Sequence, residues 1–546
     1  MVQVLLDAGV LTRCRRRVHL EHDPSSRAVE IAPPNPAAEQ RIADARAHRE
    51  EIARRLRETD PAGWVSVPGT ATPAERVAAT AEALASGARV ISGALLPADT
   101  AAGRRGGAEL LIRTPAGYVP VIVVRHRISD PGQGARTTAL TDLDPDHAAT
   151  DPERKTRSHP RDQLRLVHLR KLLQAAGHAE PARAVGGVIG LDADVVVWHD
   201  LDAPTFPGDR SAVKEYEERF ADRFAVASAA ANGEPPLAVP SRIVECKQCP
   251  WWPTCERDLL DAKDVSLVVR GDDAFALRDL GVSTVAELAV LSPVGEPPVT
   301  LTGTTFPHAV SLARAWLSGL SVVRKVPEVS VPRGDVEVDV DMESFSDHGA
   351  YLWGALLSGA DIGIRPGYRA FATWDPVPTD DEARSFAEFW TWFGQVRARA
   401  AERGLTFRAY CYNALAENRW LFASARRFAG LPGIPTVDEV QRFVDSDEWV
   451  DLFQSVSESF LSTHGKGLKV LAKVAGYDWQ DPEASGEASM RWYREAVGAD
   501  GGAPDDGQRR RLLRYNEDDV RATYVLREWM TGPAMADVPY VGDLSE

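Results

Sequence analysis

Cysteine, long apolar runs and surplus positive charge are all short in this sequence, and each shortage excludes something. Five cysteines in 546 residues are too few for a disulfide framework, so any clustering among them points to a metal or cofactor. No stretch approaches the roughly 18 uninterrupted apolar residues of a membrane span. The opening MVQVLLDAGVLTRCRRRVHL sets its short apolar run before its basic cluster, the reverse of a secretory leader. A cytoplasmic protein without a membrane partner is expected. The net charge of -16 argues against a simple basic coat for DNA, because phosphate neutralisation needs surface Lys and Arg. It leaves room for a nuclease that concentrates carboxylates at its site. A G-x4-G-K-[ST] phosphate loop is missing, so any unwinding would fall to a separate helicase; G-x-G-x-x-G after a strand is missing too, which disfavours an iron-sulfur redox protein with a flavin or nicotinamide partner.

What is present is ordinary globular material, 44% hydrophobic and 26% charged, enough for two to four domains with cores of their own. The pattern is mixed α/β. A helical stretch around AEQRIADARAHREEIARRLRE precedes strand-like runs at ELLIRT and YVPVIVVRH. Residues 263–328 read as short helical pieces with a turn at Gly281, either a helix-hairpin-helix unit or a plain αα-hairpin. The remainder opens on an alternating strand, VEVDVDMES, and closes on a helix, RRLLRYNEDDVRATYVLREWM. Arginines cluster at Arg13, Arg15, Arg16 and Arg17, at Arg125 and Arg127, around Arg154 to Arg165, and at Arg509 to Arg511. These are local phosphate-binding patches or solvated faces.

In VEVDVDMES the alternation puts Asp339, Asp341 and Glu343 on one face, with Val338, Val340 and Met342 on the other. Such a row repels itself unless cations neutralise it, and Mg²⁺ or Mn²⁺ prefers hard oxygen ligands. The competing reading is an edge strand with a wet acidic face. Near the other end, Tyr515 and Asp519 are four apart, so on a helix they share a face beside Asn516. A phenol and a carboxylate can then aim at one point.

The pair Asp341-x-Glu343 and Tyr515-x3-Asp519 resembles the first and last motifs of the tyrosine variant of the DEDD exonucleases. AYCYNALAENRWL, GKGLKVLAKVAGYDW and EASGEASMRWYREA between them resemble the RNase H-like domain attached to RecB-like nucleases. The resemblance implies an RNase H-like 3′-5′ exonuclease domain over 329–546. Asp341, Glu343, Glu417 and Asp519 would hold two divalent ions that activate a water and stabilise the leaving oxygen, while Tyr515 orients that water. The sequence departs from the common pattern in the middle motif, where Asn418 stands in place of an Asp and Glu417 precedes it. Glu417 is taken as the middle carboxylate; Asp339 is an alternative ligand.

Cys246, Cys249 and Cys255 form C-x2-C-x5-C, with Cys14 far upstream. Four thiolates suit zinc or an iron-sulfur cluster equally by count. The one-plus-three layout resembles the staple of AddB-type and CRISPR-associated RecB-like nucleases, which implies a [4Fe-4S] cluster and a restriction-endonuclease-like α/β fold over 1–262. Cys411 is expected in a core strand. The same resemblance assigns His48, Glu109 and Gln163 to a second metal site. That site is defective, because the carboxylate and lysine of the family's catalytic strand align with Ile122 and Val124, and Arg125 is expected to face away from Val124 on the strand. An N-terminal domain that binds DNA without cutting it is expected, with a role in repair or recombination. The alternative is a non-catalytic binding or scaffold protein with a structural cluster.

Overall fold

The computed structural model describes residues 2–33, 35–59, 61–192 and 194–544. It divides into two compact units, Met1–Leu259 and Leu260–Glu546. Both are mixed α/β. No helix among the described residues is long and apolar enough to cross a membrane.

The first unit is built on a sheet of eight strands: β1 (Trp64–Ser66), β2 (Val90–Asp99), β3 (Arg104–Arg113), β4 (Tyr118–Val123), β5 (Arg136–Ala139), β6 (Ala149–Thr150), β7 (Val185–Ile189) and β8 (Val195–Asp200). Their order is β1-β2-β3-β4-β7-β8-β5-β6. The pairs β1–β2 and β4–β7 are parallel. Six helices accompany it: α1 (Arg15–His22), α2 (Pro36–Thr59), α3 (Pro73–Ser86), α4 (Pro160–Ala175), α5 (Ala212–Ala231) and α6 (Trp252–Ala262). The sheet is covered on both faces, which is why YVPVIV reads as an unbroken apolar run. Ile122 packs into one core with Leu169, Leu172 and Tyr216, while Val121 and Val123 join another with Ile52, Leu56 and Trp198. The start of α3 follows local sequence: Thr72 and Glu75 form a capping box, and Gly87 closes the helix at φ 71°, a left-handed position that favours glycine.

One strand boundary differs from expectation. β4 stops at Val123, so Arg125 is not a strand residue and the alternation argument does not apply to it. Its guanidinium turns to α2 and pairs with Asp44 at 3.2 Å.

The second unit begins with α7 (Asp272–Asp279), α8 (Val285–Ala289) and α9 (Phe306–Leu317). The turn between α7 and α8 has Gly281 at φ 83°. Contacts group this helical stretch with the C-terminal unit, and the division between units falls inside α6. Five strands follow: β9 (Val336–Phe345), β10 (Gly349–Gly359), β11 (Gly367–Ala372), β12 (Phe407–Cys411) and β13 (Trp449–Asp451), in the order β11-β10-β9-β12-β13. The pairs β11–β10 and β10–β9 are antiparallel, and β9–β12 and β12–β13 parallel. The helices that bear on the site are α10 (Glu382–Glu402), α11 (Leu415–Arg427), α12 (Leu468–Val474), α13 (Gly486–Val497) and α14 (Asp506–Thr531). β9 is the central strand, not an edge. Val336, Val338 and Val340 pack with Trp353, Phe389, Phe393 and Val396, and the acidic face is turned toward α14.

Candidate metal centre

Four carboxylates, not three, line the acidic face of β9, and the fold sorts them into two pairs. Arg527 of α14 is fully buried and holds Asp339 at 2.9 Å while its other nitrogen reaches Glu337. Arg333 and the Tyr410 hydroxyl also donate to Glu337, at 2.7 and 2.8 Å. Burial opposes ionisation there, yet Arg333, Arg527 and Tyr410 hold the Glu337 carboxyl down at about 2. For Asp339 burial prevails and moves it up to about 6 even beside Arg527. Asp339 is therefore held in a buried salt bridge with Arg527.

Among the described residues no arginine pairs with Asp341 or Glu343 in this way. They meet Asp519 of α14, with one carboxylate oxygen of each lying within 4.8 Å of the others. The spacing of α14 produces this sorting. Asp519 and Arg527 lie eight residues apart on one face, roughly 12 Å along the helix, which matches roughly 10–13 Å over three to four strand residues. One helix face thus presents an acid to Asp341 and Glu343 and a base to Glu337 and Asp339.

Neutral donors orient the acidic trio. Asn516 donates to Asp341 at 2.7 Å and accepts from Tyr368 at 2.7 Å. Gly354, opposite Asp341 in the sheet, leaves room for this contact, because a Cβ there would overlap the Asn516 side chain. The Trp479 indole donates to Asp519 at 2.7 Å, and Asp518 anchors the loop carrying Trp479 through Tyr477 and Gln480. Tyr515 is buried on the same helix face as Asp519. Burial first, then the charges of Asp519, Glu343 and Asp341, push its phenol far above the ordinary value. It is a neutral hydroxyl at any working pH.

The family model of the RNase_H superfamily matches residues 433–531. That stretch carries Tyr515 and Asp519 and begins after Asp341, Glu343 and Glu417. The C-terminal unit holds an RNase H-like domain. Comparisons with curated proteins and with solved structures returned no match. An RNase H-like domain supports nuclease activity in general, with nucleic acid as substrate and a divalent metal as helper, and the donor set here suits a hard cation. Three carboxylates converge, Asp341 partly buried and Asp519 buried, and Lys469 faces all three.

Lys469, in α12 of the RNase H-like domain, joins this site although nothing in the sequence singles it out. Its ammonium lies 3.4 Å from the Tyr515 hydroxyl and donates to the Ala484 carbonyl at 2.7 Å. It sits 4.6 Å from the Tyr515 ring centroid. Burial lowers its pKa, and Asp519, Glu343 and Asp341 pull the other way. The sequence signal was a lysine in a short amphipathic run between glycine turns, which is common on surfaces.

Glu417 stands apart from the trio. It is buried in the first turn of α11, one of its oxygens has no hydrogen-bond partner, and it borders a small void of about 10 Å³ with Val340, Trp353 and Phe393. Burial and then the charge of Asp451 raise its carboxyl to about 8. Its field still reaches Asp341. Asp451 aims the turn that carries it, accepting from the amides of Asn413 and Ala414 at 2.9 and 3.1 Å. Asn413 adopts φ 69° in that turn.

The trio has a pH signature. Burial, then repulsion from Asp519 and Glu343, raises Asp341 well above the carboxylate range; burial and Asp519 raise Glu343 to about 8; burial raises Asp519 to about 6 against the pull of Lys469. The folded chain therefore keeps protons that the unfolded chain has released, and stability falls as pH rises from about 4 to about 8, by roughly 1.4 kcal/mol per pH unit for each proton kept. Metal-free protein is expected to lose thermal stability across that window. Mn²⁺ should raise Tm more at pH 8 than at pH 5. A Glu343→Gln variant with an unchanged pH slope in thermal melts would refute this.

In the N-terminal unit the sequence-predicted residues are partly drawn together. Cys14, Cys246, Cys249 and Cys255 lie close enough for mutual electrostatic influence, and burial raises Cys249 to about 11 and Cys255 to about 12. Among the described residues no three of their sulfurs fall within 4.8 Å of one another. Cys411 is a fully buried residue of β12. Glu109 is held by Arg165 at 2.6 Å and Arg49 at 3.5 Å. His48, on α2, has a buried Nε2 with no hydrogen-bond partner. Gln163 accepts from Thr205 at 2.6 Å. Ile122 is core. Glu109 and Gln163 thus have hydrogen-bond or ion-pair partners of their own, while His48 lies close enough to Arg125 and to Arg49, the partner of Glu109, for both charges to act on it. Most of the arginine clusters are paired as well: Arg15 with Asp222, Arg16 with Asp258, Arg17 with Glu245, Arg154 with Asp194 and Arg511 with Asp481.

Proposed function

We propose that the chain is a divalent-metal-dependent 3′-5′ exonuclease acting on DNA, with its chemistry in the RNase H-like domain and the N-terminal unit holding the polymer. The observation that carries this reading is the convergence of Asp341, Glu343 and Asp519 beside the neutral hydroxyl of Tyr515. Asp341, Glu343, Asp519 and, from across the sheet end, Glu417 are the residues to hold two Mg²⁺ or Mn²⁺ ions. Such ions, when bound, activate a water and stabilise the leaving oxygen of the phosphodiester.

The protein's own part is orientation and charge. Asn516 donates to one oxygen of Asp341 and Trp479 to one of Asp519, and the Tyr515 hydroxyl also bonds to Asp519. Tyr515 orients the attacking water through a hydroxyl that neither gains nor loses its proton. Lys469 balances part of the acidic charge and holds the Tyr515 hydroxyl in place. In the N-terminal unit, the pairing of Glu109 with two arginines and the apolar Ile122 support binding without cleavage. A [4Fe-4S] cluster on Cys14, Cys246, Cys249 and Cys255, with zinc as the alternative, is carried by the one-plus-three layout of these cysteines in the sequence.

The test is cleavage of single- and double-stranded DNA and RNA, labelled at either end, by anaerobically purified protein with Mg²⁺ or Mn²⁺. Shortening from the 3′ end of DNA supports the reading; cleavage of RNA alone, or from the 5′ end, replaces its specificity, and inactivity on all substrates favours a binding protein. Lys469→Met separates charge balance from chemistry. Turnover is expected to fall roughly 10–100-fold, the range for residues that orient a metal site, while the Mn²⁺ needed for half-maximal rate also falls, because a competing cation is gone. A rise in that requirement would refute the role given to Lys469.

A further inference from the structure

A second metal-type constellation lies in the N-terminal unit, outside every residue assigned above to metal, cluster or substrate. His126, in the segment leaving β4, and His159 and Asp162, at the start of α4, bring one ligand atom each within 4.8 Å of one another. His126 Nε2 and Asp162 Oδ2 are 2.7 Å apart, and the two imidazole centroids are 4.0 Å apart. His199, at the end of β8, adds a third imidazole within electrostatic reach of Asp162 and His159.

We propose that His126, His159 and Asp162 form a binding site for a first-row transition cation of the Zn²⁺ class. Three features point there. His159 occupies the N-cap of α4 without capping it, although a side chain at that position ordinarily accepts from the first helical amides. Its Nε2 instead lies 3.0 Å from the Arg127 carbonyl. That is the outer hydrogen bond that fixes the tautomer of a metal-ligating histidine and leaves the other ring nitrogen with its lone pair. Asp162 is 5% exposed, an uncommon setting for a carboxylate unless it is paired or bound to metal.

Distances fit the same ion. Nitrogen and oxygen ligands at about 2.0–2.2 Å from zinc are roughly 3.4 Å apart in a tetrahedron. The His126–Asp162 pair is 2.7 Å apart and all three ligand atoms lie within 4.8 Å of one another, so side-chain rotation brings them to that spacing. Two imidazoles and one carboxylate select Zn²⁺, Co²⁺ or Fe²⁺ over Mg²⁺, in contrast to the all-carboxylate trio of the RNase H-like domain. Bound there, the ion ties the exit of β4 to the first turn of α4, the helix whose Arg165 holds Glu109. One coordination position is left for water.

The test is titration of the full chain with Co²⁺ as an optical reporter, followed by displacement with Zn²⁺. The expected result is a visible d–d band from one Co²⁺ per chain, without the intense near-ultraviolet absorption of a thiolate site. His126→Ala and Asp162→Asn should weaken binding at least a hundredfold, whereas Cys246→Ser and Asp341→Asn leave it unchanged. His159→Cys, at a partly exposed position, should keep the site and add thiolate absorption, which separates ligation from damage to the fold. A band that survives His126→Ala and Asp162→Asn, a band lost in Cys246→Ser or Asp341→Asn, or no band at millimolar Co²⁺ overturns the proposal.

Discussion

Asp341→Ala is expected to reduce metal-dependent cleavage by about a thousandfold or more, equivalent to about 4 kcal/mol of transition-state stabilisation, the upper range for one preorganised electrostatic group. Asp341 is the middle of the trio: it faces Glu343 and Asp519, feels Glu417, and is itself held by Asn516. Asp519→Asn is expected to do the same. The double variant should be no worse than either single one, because residues that build one site fail together and their losses do not add. In metal-free buffer the sign reverses. Each substitution removes a carboxylate that burial already pushes toward protonation, so both variants should melt above the wild type in chelator at pH 8. Loss of activity with gain of stability is the mark of a strained functional site. Destabilisation without loss of activity would point the chemistry back to the N-terminal unit, to His48 and Glu109. The measurement is initial rates on end-labelled substrate beside thermal melts of the same preparations.

Periodicity made part of this site legible. Alternation in VEVDVDMES put the carboxylates on one strand face, and the four-residue spacing put Tyr515 and Asp519 on one helix face. The division of labour among the carboxylates was not legible, because it depends on an arginine 188 residues from Asp339 in the chain. The donors that aim the trio, Asn516 and Trp479, are polar residues whose partners appear only once α14 lies against the sheet. Lys469 was hidden for the same reason: a lysine near three carboxylates looks the same in sequence as a lysine near water. In the N-terminal unit the strands at ELLIRT and YVPVIV followed from composition. The reach of β4 did not, and neither did the pairing of Glu109 with Arg49 and Arg165, which is set by helices packed on the sheet from distant parts of the chain.

Arg527→Met is expected to be the most destabilising substitution in the C-terminal unit, by about 3–5 kcal/mol, the cost of leaving buried charge without its partner. Arg527 is fully buried, pairs with both Glu337 and Asp339, and lies over the Tyr410 ring at 4.3 Å. Its removal does not strand the two acids equally. Glu337 keeps Arg333 and Tyr410. Asp339 keeps nothing of opposite charge, and since burial already lifts it to about 6 with the guanidinium present, it must take up a proton to stay inside. The sign follows: an acid whose folded pKa is raised contributes stability at low pH that is lost as pH rises through that value. The deficit of Arg527→Met relative to wild type should therefore be larger at pH 8 than at pH 5. Adding Asp339→Asn removes the charge that needs the proton, and the double variant should recover a large part of the loss and all of its pH dependence. Urea unfolding of the four corners of this cycle at both pH values measures the coupling directly. A loss below about 1 kcal/mol, within the range of an exposed ion pair, would mean that the pair contributes little. The acidic trio would then owe its orientation to the apolar packing of α14 and not to the charge lock two turns further along the same helix.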